Sequence, residues 1–295
     1  MPIQIESPAV LPQPSPTGSR VRSFVALMYH NVVADGQSHP ELSPSATSYF
    51  VSRSAFSRQL TELLNPRGAV PMSLDSLAAF YAKDFNAPAA GQRGALITFD
   101  DGWAGTVDIG GPLLEQHGLE SFLFVTTDFI DKPLFLPAGD ISRLPRRVFR
   151  IGSHARSHRM LSLLSEPEIR SELTESKKRL EDLTGYEVDA ISIPSGAVDL
   201  RVRRIAGESG YRFLFDSEVR INSRREASLS IGRVGVMRDT DLATFRRYAD
   251  QKIGKERVRR AVLQAPKRLL GLRRYEAIRR RLLGEKGGQR VTHKS

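Results

Sequence analysis

The chain of 295 residues contains no cysteine and a single tryptophan. It also holds no stretch near the roughly 18 apolar residues that a membrane-spanning helix requires. The absent cysteines exclude a disulfide framework, a thiol nucleophile and a thiolate metal site together, so any bound metal must rest on histidine and carboxylate ligands. Residues 1–20 are rich in Pro and Ser and show no apolar run behind a basic start. They read as a disordered leader rather than a secretory signal, and the protein is expected in the cytoplasm. What remains is an ordinary globular balance, 40% hydrophobic and 26% charged with 23 Gly and 17 Pro, which excludes collagen and disorder throughout. At roughly 100–200 residues per domain, the length allows one barrel-sized domain or two small ones.

Net positive charge is concentrated at one end. Residues 251–295 carry 15 Lys plus Arg against 3 Asp plus Glu, a net of +12, while the whole chain is +11, which leaves residues 1–250 near −1. The basic character belongs to the tail. A nucleic-acid reader would carry that charge as a stripe on its folded body, so no nucleic-acid partner is expected.

Between residues 21 and 250, short apolar runs alternate with segments of helical period, the pattern of strands each followed by a covering helix. Strands are predicted at 25–29, 95–99, 121–126, 148–151, 190–193 and 213–215, a spacing that suits a parallel sheet or barrel. The clearest helix starts at Ser165 with Glu168 three residues on, a capping box. It carries Ile169, Leu173, Leu180 and Leu183 along one side and stops at Gly185. Less regular helical patterns cover 56–64, 74–80 and 199–208.

Two motifs stand at predicted strand ends. Thr98-Phe99-Asp100-Asp101-Gly102 places adjacent carboxylates where parallel α/β folds gather their chemistry. One can ligate a cation while its neighbour accepts a proton; the plain alternative is a turn in which Asp101 caps the next helix. Gly152-Ser153-His154-Ala155-Arg156-Ser157-His158 holds two imidazoles four residues apart, a spacing at which both can meet one ion on the side of a helical turn. The alternative is two unconnected surface histidines. Together Asp101, His154 and His158 supply the three ligands of a catalytic metal site with a position left for water.

With these motifs about fifty residues apart, the chain resembles the polysaccharide deacetylases, or NodB-homology domains, over roughly residues 24–240. The resemblance implies an α/β fold, a distorted (β/α) barrel, read here as a single domain over 21–250, to which the charge and apolar pattern add a basic helical C-terminal tail over 251–295. It also implies metal-dependent removal of acetyl groups from N-acetylated sugars, so an acetylated carbohydrate is the expected partner. Asp100 matches the family's general base, and Asp101, His154 and His158 match its metal triad. Two imidazoles and a carboxylate suit one divalent ion, Zn²⁺ first, with Co²⁺, Ni²⁺, Fe²⁺ or Mn²⁺ also admitted.

The third family motif, Arg-x-Pro-Tyr-Gly, has its counterpart at Ser192-Ile193-Pro194-Ser195-Gly196, which keeps Pro and Gly but neither Arg nor Tyr. A backbone donor needs no side chain, so Ser195 is expected to offer its N–H to an oxyanion; otherwise the segment is a simple turn. The family's C-terminal Leu-x-His is absent, since after His158 the only histidine is His293. Relatives that deacetylate exported poly-N-acetylglucosamine resemble this chain in opening with a Tyr-His strand end. His30, after Tyr29, is thus expected as the general acid, with an imidazole pKa near 6.5; the alternative is a histidine packed at a strand end. His39 and His117 read as loop and helix-surface residues.

The altered third motif and missing histidine also allow a rival, a catalytically inactive carbohydrate-binding barrel. In the tail, residues 255–281, opening on Lys255 and closing on Arg281, interleave apolar and basic residues and are broken by Pro266 and Gly271. They read as two short basic amphipathic helices, suited to peripheral contact with an anionic inner membrane surface or to packing back on the barrel.

Overall fold

The computed structural model describes residues 21–66, 68–82, 91–223 and 230–270, the last eight by backbone alone. The leader (1–20) and the tail beyond 270 lie outside the described residues. The strands are β1 (Val21–Tyr29), β2 (Asn31–Val33), β3 (Phe50–Ser52), β4 (Val70–Pro71), β5 (Gln92–Phe99), β6 (Ser121–Val125), β7 (Phe149–Ser153), β8 (Ala190–Ser192), β9 (Phe213–Phe215), β10 (Asn222–Ser223), β11 (Ser230–Ile231) and β12 (Arg233–Gly235).

Parallel pairing runs β1–β5–β6–β7–β8–β9–β11, and β12 returns parallel to β1. Only Gly232 separates β11 from β12, so the stretch 230–235 crosses the last gap and brings the sheet nearly to closure as a barrel. A Cβ at Gly232 would lie 2.3 Å from Arg220 Cγ and 2.5 Å from Glu218 O, so only glycine fits this closing step. The fold is the α/β barrel that the strand spacing and the resemblance implied.

Period-two alternation sorts the side chains. Val25, Leu27 and Tyr29 of β1 join Ala95, Ile97 and Phe99 of β5 in the layer packed against the helices. Phe24, Ala26, Leu96, Phe122, Phe124, Phe213 and Phe215 form a second cluster. The Phe124 and Phe215 rings meet at 4.9 Å although β6 and β9 are not neighbours, so this cluster fills the barrel interior. A Cβ at Gly152 would stand 2.5 Å from the Phe124 ring, and glycine there makes room for it. The helix Leu74–Phe80 adds Leu77 and Phe80 at the opposite mouth from the site, with Phe80 edge-on to Phe24 at 5.2 Å.

The helix Glu166–Thr184 starts with the capping box at Ser165 and ends at Gly185, whose φ of 71° is the left-handed cap predicted for it. The helix expected to break at Pro266 does not: Gly254–Leu270 runs through it as one element. An internal proline removes one hydrogen bond and favours a kink, but the Ala, Leu, Gln, Lys and Arg around it are strong helix formers. No helix among the described residues is long and apolar enough to cross a membrane.

Candidate metal centre and proton-transfer site

The inward-facing rows of the barrel change character towards the C-terminal ends of the strands. Above the phenylalanine floor come Thr98 from β5 and Asp100 just after its end, Ser192 from β8 and Arg233 from β12, all buried. Arg233 lies 5.8 Å from the Phe124 ring and 5.9 Å from the Phe215 ring. From there its guanidinium forks onto Asp100, Nη1 to Oδ1 at 2.7 Å and Nη2 to Oδ2 at 2.8 Å. Nη2 also donates to Ser192 Oγ at 2.7 Å, and that hydroxyl donates to Asp100 Oδ2 at 3.2 Å. Burial pushes the Asp100 carboxyl up, but the Arg233 charge, followed by His154, holds it below the usual carboxylate range.

Strict alternation would turn Asp101 away from this face. Its backbone instead has φ of 77°, a left-handed turn that aims the side chain back over the barrel mouth. Trp103 Nε1 donates to Asp101 Oδ2 at 3.0 Å. The other oxygen, Oδ1, is buried without a hydrogen-bond partner. It lies 3.4 Å from His154 Nε2 and 3.3 Å from His158 Nε2. The three ligand atoms fall within 4.8 Å of one another.

This orphaned oxygen tests whether a cation fits. His154 Nδ1 stands 2.8 Å from Ser192 O, and a carbonyl only accepts, so the ring proton sits on Nδ1 and the Nε2 lone pair faces Asp101. Burial, as the largest cause, lowers the His154 pKa to about 4, so the ring is neutral at neutral pH. Asp101 is held well below the usual carboxylate range, as His158, His30 and His154 outweigh its burial. Lone pairs thus converge on one point with no proton between Asp101 and His154. A divalent cation satisfies that arrangement.

The loop carrying both histidines is not the helical turn that their spacing suggested. Residues 154–158 are non-helical, with φ of 59° at Ala155 and 61° at His158. Glu172, a buried residue of the Glu166–Thr184 helix, holds them in this form. Its Oε2 accepts from the backbone N–H of Arg156 at 3.0 Å and of Ser157 at 2.8 Å, and Oε1 accepts from Ser157 Oγ. One turn on, Ser176 Oγ lies 2.8 Å from Ser153 Oγ, which accepts from Ala155 N at 3.1 Å. Backbone N–H groups that a helical turn would use internally are spent on this carboxylate instead.

His30 lies beside the cluster. Its ring centroid is 4.2 Å from that of Tyr49, and its Nδ1 is buried without a partner. Burial lowers its pKa, with Asp101 and then Asp100 opposing, so the unshifted value near 6.5 expected from sequence is corrected downwards. Ser195 sits three residues beyond Ser192 in a tight turn, at φ of 62°. The next residue, Gly196 at φ of 66°, could not carry a Cβ, which would meet Ser217 Oγ at 2.3 Å. His39 is half-buried, 2.9 Å from Glu41, and stands edge-on to Phe50.

Three residues of the site escaped the sequence reading. Arg233 lies in a three-residue strand between glycines, which shows no apolar run. Trp103 follows the carboxylate pair directly. Glu172 had a visible signal, an acidic residue in the apolar stripe between Ile169 and Leu173.

Comparison with known proteins bears on the family and the fold. The family model for polysaccharide deacetylases matches residues 88–214. YxkH of Bacillus subtilis, assigned by name to the polysaccharide deacetylases, is 24% identical over 159 residues, covering 54% of this chain and 57% of YxkH. The peptidoglycan-N-acetylglucosamine deacetylase PgdA of Listeria monocytogenes is 28% identical over 124 residues, 41% of this chain and 26% of PgdA. The chain therefore spans about half of the first relative and a quarter of the second. In fold it is similar to IcaB from Ammonifex degensii (TM-score 0.66, 20% identity, 78% of this chain and 98% of that one). It is equally similar to the Streptococcus pyogenes deacetylase PplD in complex with acetate (TM-score 0.65, 20% identity, 77% and 98%).

Proposed function

We propose that the chain, whose residues 88–214 match the family model for polysaccharide deacetylases, is a metal-dependent hydrolase removing N-acetyl groups from an acetamido sugar of a polysaccharide, oligosaccharide or lipid-linked glycan. The observation that carries this reading is the buried, partnerless Asp101 Oδ1 facing the Nε2 atoms of His154 and His158. These three residues would hold one divalent cation. Zinc suits the two imidazoles and one carboxylate best. Such an ion, when bound, supplies Lewis-acid polarisation of the acetamide carbonyl and a water of lowered pKa.

The chain's own groups divide the remaining work. Asp100, held as a carboxylate by Arg233, is the general base that takes a proton from the attacking water. The Ser195 backbone N–H donates to the oxyanion that forms as the carbonyl carbon becomes tetrahedral. His30 is the general acid, giving its proton to the sugar nitrogen as the C–N bond breaks, so that acetate and a free amine leave. Its lowered pKa means that the protonated, donating form gains population as pH falls.

The test is acetate release by zinc-loaded full-length protein from N-acetylglucosamine oligomers and from a lipid-linked acetamido sugar. Release that Asp101→Asn abolishes supports the proposal. Sugar binding without acetate release across such substrates would overturn it in favour of an inactive carbohydrate-binding barrel.

A further inference from the structure

Beyond the barrel, the helix Gly254–Leu270 follows Leu242–Ala249, and the two are tied at their junction. Tyr248 Oη, at the end of the first, donates to Glu256 near the start of the second at 3.2 Å. At this junction an open pocket of about 230 Å³ is lined by residues of both helices together with Met237, Asp239 and Thr240. It is wide enough to admit a phosphate group. Its lining carries Arg247, Lys252, Lys255 and Arg259 with Asp239 and Glu256, and Asp241 acts on Arg247 electrostatically from outside the lining. Lys252 is paired with Asp250 and Arg259 with Glu256. Among the described residues, Arg247 and Lys255 have no carboxylate within ion-pair distance; Arg247 donates only to the Thr244 hydroxyl, at 2.8 Å.

The outer helix adds two apolar side chains to this cationic site. Val258 and Val262 are 65% and 66% exposed. At about 100° per residue, Lys255, Val258, Arg259 and Val262 share an arc of roughly 100° on the helix. Residues 251–270 contain seven Lys plus Arg and a single acidic residue. A free phosphate ligand would have no use for exposed valines beside its site, whereas a phospholipid offers an anionic headgroup with apolar chains behind it.

We propose that this face docks on an anionic lipid bilayer, the cavity taking a headgroup phosphate and Val258 and Val262 entering the acyl boundary. The surface also borders the catalytic rim. Arg238 N–H donates to Ser48 O at 2.8 Å, next to the Tyr49 that packs against His30. Docking would thus bring the barrel mouth near the bilayer, where a lipid-linked glycan resides.

The experiment is co-sedimentation of the full chain with phosphatidylcholine vesicles, alone or containing phosphatidylglycerol, with circular dichroism and zinc content as controls for folding. Binding is expected only to the anionic vesicles. The Lys255→Ala/Arg259→Ala pair is expected to bind them about thirtyfold more weakly, the loss of two basic groups near an anionic surface. Val258→Asp/Val262→Asp is expected to weaken binding at least as much with all basic residues intact. Equal binding to neutral vesicles, or wild-type binding by either folded variant, would overturn the proposal. So would inorganic phosphate that displaces the protein at millimolar concentration without an ionic-strength control doing the same, which would assign the cavity to a soluble ligand. Acetate release plays no part in these readouts, so their failure is separate from failure of the deacetylase reading.

Discussion

Asp100 and Asp101 are chain neighbours in opposite environments. Both oxygens of Asp100 are taken by Arg233, and Ser192 adds a third bond. Asp101 has one oxygen on Trp103 and the other on nothing, with imidazole nitrogens 3.3 and 3.4 Å away. The first carboxylate is neutralised by a cation built into the fold. The second has an oxygen that a cation from outside would satisfy. Peptide chemistry is the same for both; the difference comes from the inward row that Asp100 continues and the left-handed turn that re-aims Asp101.

Breaking the open half should have the largest effect. Asp101→Asn is expected to lose both metal and activity, measured as zinc retained after dialysis and as acetate released. Retention of stoichiometric zinc would show that the oxygen is not a ligand. The closed half should respond differently. Asp100→Asn is expected to keep its zinc while kcat falls about 10²- to 10⁴-fold, the usual range for a lost general base.

Arg233→Gln sharpens the contrast by removing the built-in cation. A buried carboxylate left without its partner costs roughly 3–5 kcal/mol of stability, measurable by urea unfolding. The sign of the pH effect also follows. Asp100 must be deprotonated to act, and Arg233 holds its pKa down, so in the variant activity should be lost at higher pH as the solution is acidified. An acid limb that stays in place would separate Arg233 from the base.

Smaller effects are expected one step out. Glu172→Ala frees the loop that carries His154 and His158, and should weaken zinc affinity about 10- to 100-fold while kcat recovers at saturating metal. Competition with a chelating dye would measure it, and unchanged affinity would reduce Glu172 to packing. His30→Ala should lower kcat and erase the alkaline limb of its pH profile. That limb is expected below the ordinary imidazole range because burial lowers the His30 pKa. A profile that keeps the limb would remove His30 from proton transfer.

The sequence was legible wherever periodicity or a cap carried the information. The strands at 95–99 and 121–126, and the helix from the Ser165 capping box to Gly185, emerged within a residue or a few of their positions. The candidate cluster of Asp101, His154 and His158 was legible through its motifs, but the His154–His158 loop was read with the wrong backbone. Spacing cannot show a positive φ at Ala155, which the fold holds through Glu172. Arg233 was hidden for another reason. Strands of two or three residues that close a barrel leave no periodic trace, so the arginine next to Asp100 comes from 133 residues further along the chain. The third motif, at Ser192, had lost its arginine, and Ser192 Oγ now receives a hydrogen bond from Arg233. That loss was the one visible hint that a cation had to arrive from elsewhere.

The most direct test is a crystal of the cobalt-loaded protein with data at the cobalt absorption edge. One anomalous peak per chain is predicted, about 2.0–2.2 Å from Asp101 Oδ1 and the Nε2 atoms of His154 and His158, with Asp100 still on Arg233. Fully loaded crystals with no peak there, or with Asp100 turned from Arg233 to ligate the ion, would contradict the assignment of one carboxylate to the metal and the other to the proton.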